Sequence, residues 1–239
     1  FSRDIKSFTF KKREINKYSL SNYFNNYVIN YPNSIWKNVN RIEPAHIYKF
    51  KLDFDKTEVT LLYKKKYWDS AKTIIINNKD SFDIITNKLE DLLFDTIEKH
   101  LDNDVPTACF LSGGIDSSLI SAIASKINKN INTISIGFKD KNLDESKYAI
   151  KVAEYLKTNH SNKILDADDV HDILKIIPEV YGEPFADSSQ IPTLLLCKYA
   201  SSKFKVCLTG DAGDELFCGY DRYDFVPKFW KIIKYFPKN

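Results

Sequence analysis

The chain contains no methionine and only four cysteines among its 239 residues, with neither a CxxC pair nor a ladder of cysteine spacings. That argues against a zinc site or a disulfide framework and fits a reducing compartment, so a cytoplasmic protein is expected. No apolar run approaches the roughly 20 residues that span a bilayer. No basic-then-apolar start resembles a signal peptide. The formal charge is +3 and the lysines are scattered, so the dense basic stripe that neutralises nucleic-acid phosphates is missing. Runs such as Lys64-Lys65-Lys66 read as solvated surface. Neither a nucleic acid nor a membrane is expected as a partner. A start at Phe1 with no Met anywhere marks a processed product or a piece of something longer.

What is present is the composition of a folded protein. Hydrophobic residues make up 43% and charged residues 28%, which excludes a disordered or low-complexity chain. Residues 1–70, rich in aromatics and Asn and broken by Pro32 and Pro44, read as strands and turns more than helices. From Phe82 the pattern changes. Phe82, Ile85, Leu89, Leu92, Leu93, Ile97 and Leu101 recur at three and four residues and predict one apolar helix face, capped by Asp80 or Ser81. Apolar runs then alternate with helical patterns: Thr107 to Leu111, a helix from about Ser117 to Ile127, Ile131 to Phe138, and a helix from about Asp144 to Leu156. A short strand from Asn162 to Leu165, helical stretches around 170–177 and 191–201, and a buried strand from Lys205 to Thr209 follow. Such alternation predicts an α/β fold, a doubly wound parallel sheet with helices on both faces.

The sharpest local feature is Leu111-Ser112-Gly113-Gly114-Ile115-Asp116-Ser117-Ser118, between a predicted strand and a predicted helix. Two glycines let the backbone approach a polyanion, and Ser112, Ser117 and Ser118 offer hydroxyls. The helix start adds free amides and about half a unit of positive charge. Asp116 cannot itself favour an anion, so its presence suggests a carboxylate holding Mg²⁺ against phosphates. The pattern is neither GxxxxGK[ST] nor GxGxxG. A glycine turn leading into a serine-capped helix is the plainer reading of the same letters.

Ser-Gly-Gly-Ile-Asp-Ser-Ser resembles the pyrophosphate-binding loop of the ATP pyrophosphatase superfamily. A second stretch, Leu208-Thr209-Gly210-Asp211-Ala212-Gly213-Asp214-Glu215-Leu216-Phe217-Cys218-Gly219-Tyr220, is similar to the LSGDGGDELFGGY segment of the asparagine synthetase family. Glu183 through Thr193 resembles that family's EPFADSSQIPT. Phe1-Ser2-Arg3-Asp4-Ile5-Lys6 resembles the FASEIK end of its glutaminase domain, and Ser34-Ile35-Trp36 through Pro44-Ala45-His46 the linker that follows. Ala45 stands where the family usually has Gly, which weakens one turn.

The resemblance implies a fold of the adenine nucleotide alpha-hydrolase type, with residues 1–70 as the end of a glutaminase-like domain and linker and residues 71–239 as a C-terminally incomplete ATP-pyrophosphatase domain. Leu111, Ser112, Gly113, Gly114, Asp116, Ser117 and Ser118 would bind ATP and pyrophosphate. Asp116 and Asp214 would be Mg²⁺ ligands. Ile136 and Gly137 would line the adenosine pocket, Thr209 and Gly210 would contact the nucleotide, and Asp211 would be catalytic near the activated carboxyl group. Adenylation of the aspartate side chain followed by amidation with ammonia, released from glutamine in a longer parent, is the implied reaction. A homodimer is compatible with the resemblance. An amide- or lactam-forming relative acting on another carboxylate, and a non-catalytic nucleotide-binding module, are the alternatives. The family's N-terminal Cys nucleophile and its later catalytic basic residue are expected outside this chain, since Lys228, Lys231 and Lys234 come too early. His46, His100, His160 and His171 make no metal-binding pattern and read as structural. Cys109 and Cys207 read as small core residues.

Overall fold

A computed structural model describes residues 2, 5, 14–73, 79–140 and 144–236. Of the stretch that resembles the glutaminase end, Phe1, Arg3, Asp4 and Lys6 lie outside the described residues. The chain divides into two compact units, residues 1–80 with 174–189, and residues 81–173 with 190–239.

The first unit holds α1 (Lys17–Asn26), an antiparallel hairpin of β1 (His46–Asp53) and β2 (Glu58–Lys66), and the short α2 (Ser70–Thr73). The hairpin agrees with the strand-rich reading; α1 departs from it. The Asn16 side chain accepts hydrogen bonds from the amides of Tyr18 and Ser19, and this N-cap starts a helix that apolar spacing alone did not reveal. A polar knot ties positions 34 and 183 together. Glu183 Oε1 accepts from Ser34 Oγ and from the Ile35 amide, each at 2.6 Å. Its other oxygen lies 3.4 Å from Arg41, whose Nε donates to the Asn33 carbonyl. Ser34 is fully buried, so the partners satisfy a polar group that burial alone would penalise.

The second unit is built on a parallel sheet of β3 (Thr107–Phe110), β4 (Asn132–Phe138), β5 (Asn159–Leu165) and β6 (Val206–Leu208), in the order β5-β4-β3-β6. Its helices are α3 (Phe82–Leu101), α4 (Ile115–Ile127), α5 (Ser146–Leu156), α7 (Gln190–Ser201), α8 (Gly213–Phe217) and α9 (Asp221–Ile233). Between β5 and α7, α6 (Ala167–Tyr181) runs from this unit into the residues grouped with the first. Successive strand residues face opposite ways. On one face Cys109 packs with Ile97 of α3 and Ile123 and Ala124 of α4, and Leu111 with Ala149 and Ala153 of α5. On the other, Ala108 and Ile134 meet Leu196 and Ala200 of α7. The sheet is therefore doubly wound, as the alternating pattern predicts. Each fully buried Leu or Ile in these layers stabilises by about 1.5–3 kcal/mol.

Ser81 caps α3 through its Oγ and the Ile84 amide. Only part of the predicted apolar face of α3 is packed: Leu93, Ile97 and Leu101 join the core, whereas Phe82, Ile85 and Leu92 are exposed. A 20-residue helix is about 30 Å long and overshoots strands this short. No helix among the described residues is long and apolar enough to cross a membrane.

Candidate functional site

β3 and β6 lie side by side in parallel, with Ala108 opposite Cys207 and Cys109 opposite Leu208. From β3 the chain passes through α4 to β4 on one side, whereas β6 joins β3 on the other. The strand order turns at this point, where open α/β sheets leave a crevice for ligands beyond the carboxyl ends. Five of the seven glycines in the chain, Gly113, Gly114, Gly210, Gly213 and Gly219, fall in the two segments that leave these strand ends.

The first segment is fixed at its base by buried Leu111, whose amide donates to the Ile134 carbonyl at 2.9 Å. Gly113 has φ +86°, and a Cβ there would lie 2.6 Å from Tyr148 Cβ and 2.7 Å from the Ala149 amide nitrogen. The loop is thus pressed onto the first turn of α5, an approach only glycine permits. Gly114 is the N-cap of α4 and supplies no side-chain hydrogen bond, so the first-turn amides keep their capacity for an anion. Ser112 Oγ and Ser117 Oγ are 2.9 Å apart. Ser112 Oγ also accepts from the Gly114 amide at 3.2 Å. Ser118 Oγ is buried without a hydrogen-bond partner among the described residues.

In the second segment the Asp211 amide donates to Thr209 Oγ1 at 3.2 Å, and the Gly213 amide to the Gly210 carbonyl, also at 3.2 Å. This tight turn brings the two segments into contact. A Cβ on Gly210 would lie 2.7 Å from the Ser117 nitrogen and 2.9 Å from Asp116 Cβ; one on Gly213 would lie 2.7 Å from Asp116 Oδ1. Asp116 therefore sits against the backbone of both glycines. Asp214 directly follows Gly213, and its Oδ1 rests against Gly219. Ala212 and Cys218 occupy glycine places in the segment this stretch resembles, and both adopt positive φ, 74° and 59°.

The remaining expected residues fall around this core. Ile136 and Gly137 lie inside β4. Gly137 is buried, and a Cβ on it would meet Asp144 Oδ1 and Ser146 Oγ at 2.6 Å. Hydrogen bonds from the Ser146 side chain, and then from the backbone amides of Ser146 and Phe138, hold the Asp144 carboxyl below the usual range. Asp211 is exposed. Burial first, and then the Asp211 carboxylate, push the Cys197 thiol above its ordinary range. Tyr220 donates to Glu215 Oε1 at 2.7 Å, which lowers the Glu215 carboxyl and raises the Tyr220 phenol to about 12.

Tyr148, Asp144 and Cys197 were not picked out by motif. For Tyr148 and Asp144 the one signal in the sequence is indirect, since Gly113 and Gly137 each mark a place where another backbone or side chain comes close; Cys197 has no such signal. The histidines stay outside the two segments: His160 bonds Thr133 Oγ1 and Ser135 Oγ at 2.9 and 3.1 Å, and His100 bonds the carbonyl of Thr96 in its own helix. Burial pushes Cys109 up to about 12 and Cys207 to about 11, as befits core thiols.

Among the described residues no three His, Cys, Asp or Glu side chains are grouped so as to hold a metal ion. The carboxylates of Asp116, in the first turn of α4, and Asp214, one residue beyond Gly213, would nonetheless suit Mg²⁺, which keeps several waters and takes further ligands from substrate phosphates. Chemically the arrangement can hold a polyphosphate at the start of α4, with carboxylates on its flank.

The chain matches the asparagine synthase family over residues 88–238. It is 30% identical over 210 residues to the glutamine-hydrolysing asparagine synthetase 1 of Bacillus subtilis, covering 88% of this chain and 32% of that protein. With asparagine synthetase 3 of the same organism it shares 30% identity over 204 residues, 78% of this chain and 31% of that one. The chain thus spans about a third of the length of these relatives. Among solved structures, an NH3-dependent NAD synthetase from Campylobacter jejuni superimposes with a TM-score of 0.40 at 18% identity, covering 56% of this chain and 60% of that one. Extending through both glycine-rich segments, the family match shows that this chain belongs to the asparagine synthase family.

Proposed function

We propose that this chain supplies the ATP-cleaving centre of a longer enzyme that converts the aspartate side-chain carboxylate to an amide. The observation that carries the reading is the contact of Asp116 with Gly210 and Gly213 at the turn in strand order. It joins an anion-binding helix start to a carboxylate-bearing loop. The glutamine-hydrolysing asparagine synthetases of Bacillus subtilis lend the substrate assignment.

In this reading the triphosphate lies along Ser112–Ser118. The α4 amides and the hydroxyls of Ser112 and Ser117 face the β and γ phosphates, and Ile136 and Gly137 border the adenosine. Asp116 and Asp214 would hold Mg²⁺, which would supply charge to offset that of the departing pyrophosphate. A carboxylate oxygen of aspartate attacks the α-phosphorus, and the bond from that phosphorus to the bridging oxygen breaks, leaving aspartyl adenylate and pyrophosphate. Preorganised amides stabilise the leaving charge without the reorganisation that water would need. Ammonia then attacks the acyl carbon, AMP departs, and Asp211 orients the ammonia or accepts its proton.

The test is aspartate-dependent exchange of labelled pyrophosphate into ATP by the parent protein, with AMP as the nucleotide product of turnover. Asp211→Asn is expected to cut amide formation by about 10² to 10⁴ while sparing exchange, and Asp116→Asn to abolish both. ADP as product rejects the mechanism; equal loss of both activities in the Asp211 variant rejects the division of roles.

A further inference from the structure

Asp144 precedes α5, and its carboxylate bonds a helix start to a strand end. Oδ1 accepts from the Ser146 amide at 3.1 Å, and the carboxylate also accepts from the Ser146 hydroxyl and the Phe138 amide. Ser146 opens α5 and is buried, whereas Phe138 ends β4. The first-turn amides of a helix have no partners within it, and the N-cap residue of α5, Glu145, makes no side-chain hydrogen bond to them. Asp144 therefore supplies an acceptor that the cap position does not.

Both ends of this bridge adjoin the residues that would hold a nucleotide. At α5, Gly113 rests on Tyr148 and on the Ala149 amide nitrogen, where a Cβ would come within 2.6 and 2.7 Å, so the place of this turn fixes the place of the loop. At β4, a Cβ on Gly137 would lie 2.6 Å from both Asp144 Oδ1 and Ser146 Oγ. The bridge is thus packed against the strand residue that borders the adenosine in the reading above.

We propose that Asp144 is a positioning residue for ATP: by tying the first turn of α5 to the end of β4, it sets the spacing between the phosphate loop and the Ile136–Gly137 border of the adenosine. The inference rests on the nucleotide reading. A ligand that spans both places needs this spacing. One that fills the loop alone does not, because the loop is also held by the Leu111 amide on the Ile134 carbonyl and by the contact of Ser112 Oγ with Ser117 Oγ.

The test is calorimetric titration of the whole chain with Mg-ATP and, separately, with Mg-pyrophosphate, the folding of each variant being checked by its far-UV spectrum. Asp144→Ala is expected to weaken Mg-ATP by at least about tenfold and Mg-pyrophosphate by less than about threefold, since it removes bonds to a charged acceptor that the loop itself does not use. Asp144→Asn keeps a side-chain oxygen for the Ser146 amide and should stay within about threefold of the wild type for both ligands. Ser146→Ala, which removes the hydroxyl and keeps the amide, should weaken Mg-ATP by about threefold and spare Mg-pyrophosphate, and it gives the reading if Asp144→Ala does not fold. Unchanged Mg-ATP affinity in Asp144→Ala, equal losses for the two ligands, or Asp144→Asn as weak as Asp144→Ala would each overturn the proposal and leave the nucleotide reading standing. A wild type that binds neither ligand would overturn both.

Discussion

The carboxylate of Asp116 lies against the Cα of Gly213, so that a Cβ at position 213 would fall 2.7 Å from Asp116 Oδ1. Gly213 opens α8, and helix propensity alone favours Ala there by up to about 1 kcal/mol. The contact opposes that preference. Gly213→Ala is therefore expected to weaken Mg-ATP binding by at least about tenfold, equivalent to about 1.4 kcal/mol, as read by calorimetry. Unchanged or tighter binding would mean that the two segments need no such contact.

Of the seven described non-glycine residues with left-handed backbone, three stand where the resembled segments carry glycine: Ala45, Ala212 and Cys218, at φ 58°, 74° and 59°. A side chain in this conformation costs about 1–2 kcal/mol, whereas glycine loses about 0.4–1 kcal/mol more unfolded-state entropy on folding. Ala45→Gly, Ala212→Gly and Cys218→Gly should each stabilise by about 0.5–1 kcal/mol. Urea unfolding of the single variants measures this, and no gain in any of them would contradict the strain.

These replacements also show what was legible in the sequence. Ala45 was recognisable as a departure from the linker pattern, yet only the structure gives the φ that makes the departure matter. The segments around Ser112–Ser118 and Asp211–Asp214 were legible because a strand-turn-helix signal is local and their glycines mark close backbone approach. The contacts of Gly113 with Tyr148 and of Ser34 with Glu183 were not. They join positions 35 and 149 residues apart in sequence, where no periodicity reaches. Helix α1 escaped notice because a single Asn cap started it inside an otherwise strand-like composition.

Glu183 is the centre of the polar knot in the first unit, with its side chain 14% exposed and that of Arg41 27% exposed. Hydrogen bonds to a charged group contribute about 1.5–3 kcal/mol. Glu183→Ala should therefore destabilise by about 3 kcal/mol and Glu183→Gln by less, because the amide oxygen still accepts from Ser34 or Ile35. Denaturant unfolding followed by a probe in residues 14–73 reads the difference, and equal effects of the two variants would contradict it.

His160 titrates below its ordinary value, chiefly because burial disfavours the charged ring, although a hydrogen bond to the Thr133 backbone acts the other way. The folded state then binds this proton more weakly than the unfolded chain does. Its contribution to stability is present above the ordinary histidine value of about 6.5 and is lost as pH falls through the lower folded value. Stability measured between pH 7.5 and 5 on the wild type and on His160→Gln should show a decline with acidification that is shallower in the variant. Parallel curves would contradict the assignment.

Calorimetric titration of Mg-ATP into this chain and into its Asp116→Ala variant tests the central claim most directly. The account predicts saturable one-site binding by the wild type and at least about a tenfold loss of affinity in the variant, since both a carboxylate beside the phosphates and its packing on Gly210 and Gly213 are removed. Equal affinities would contradict the assignment of the nucleotide site to these two segments.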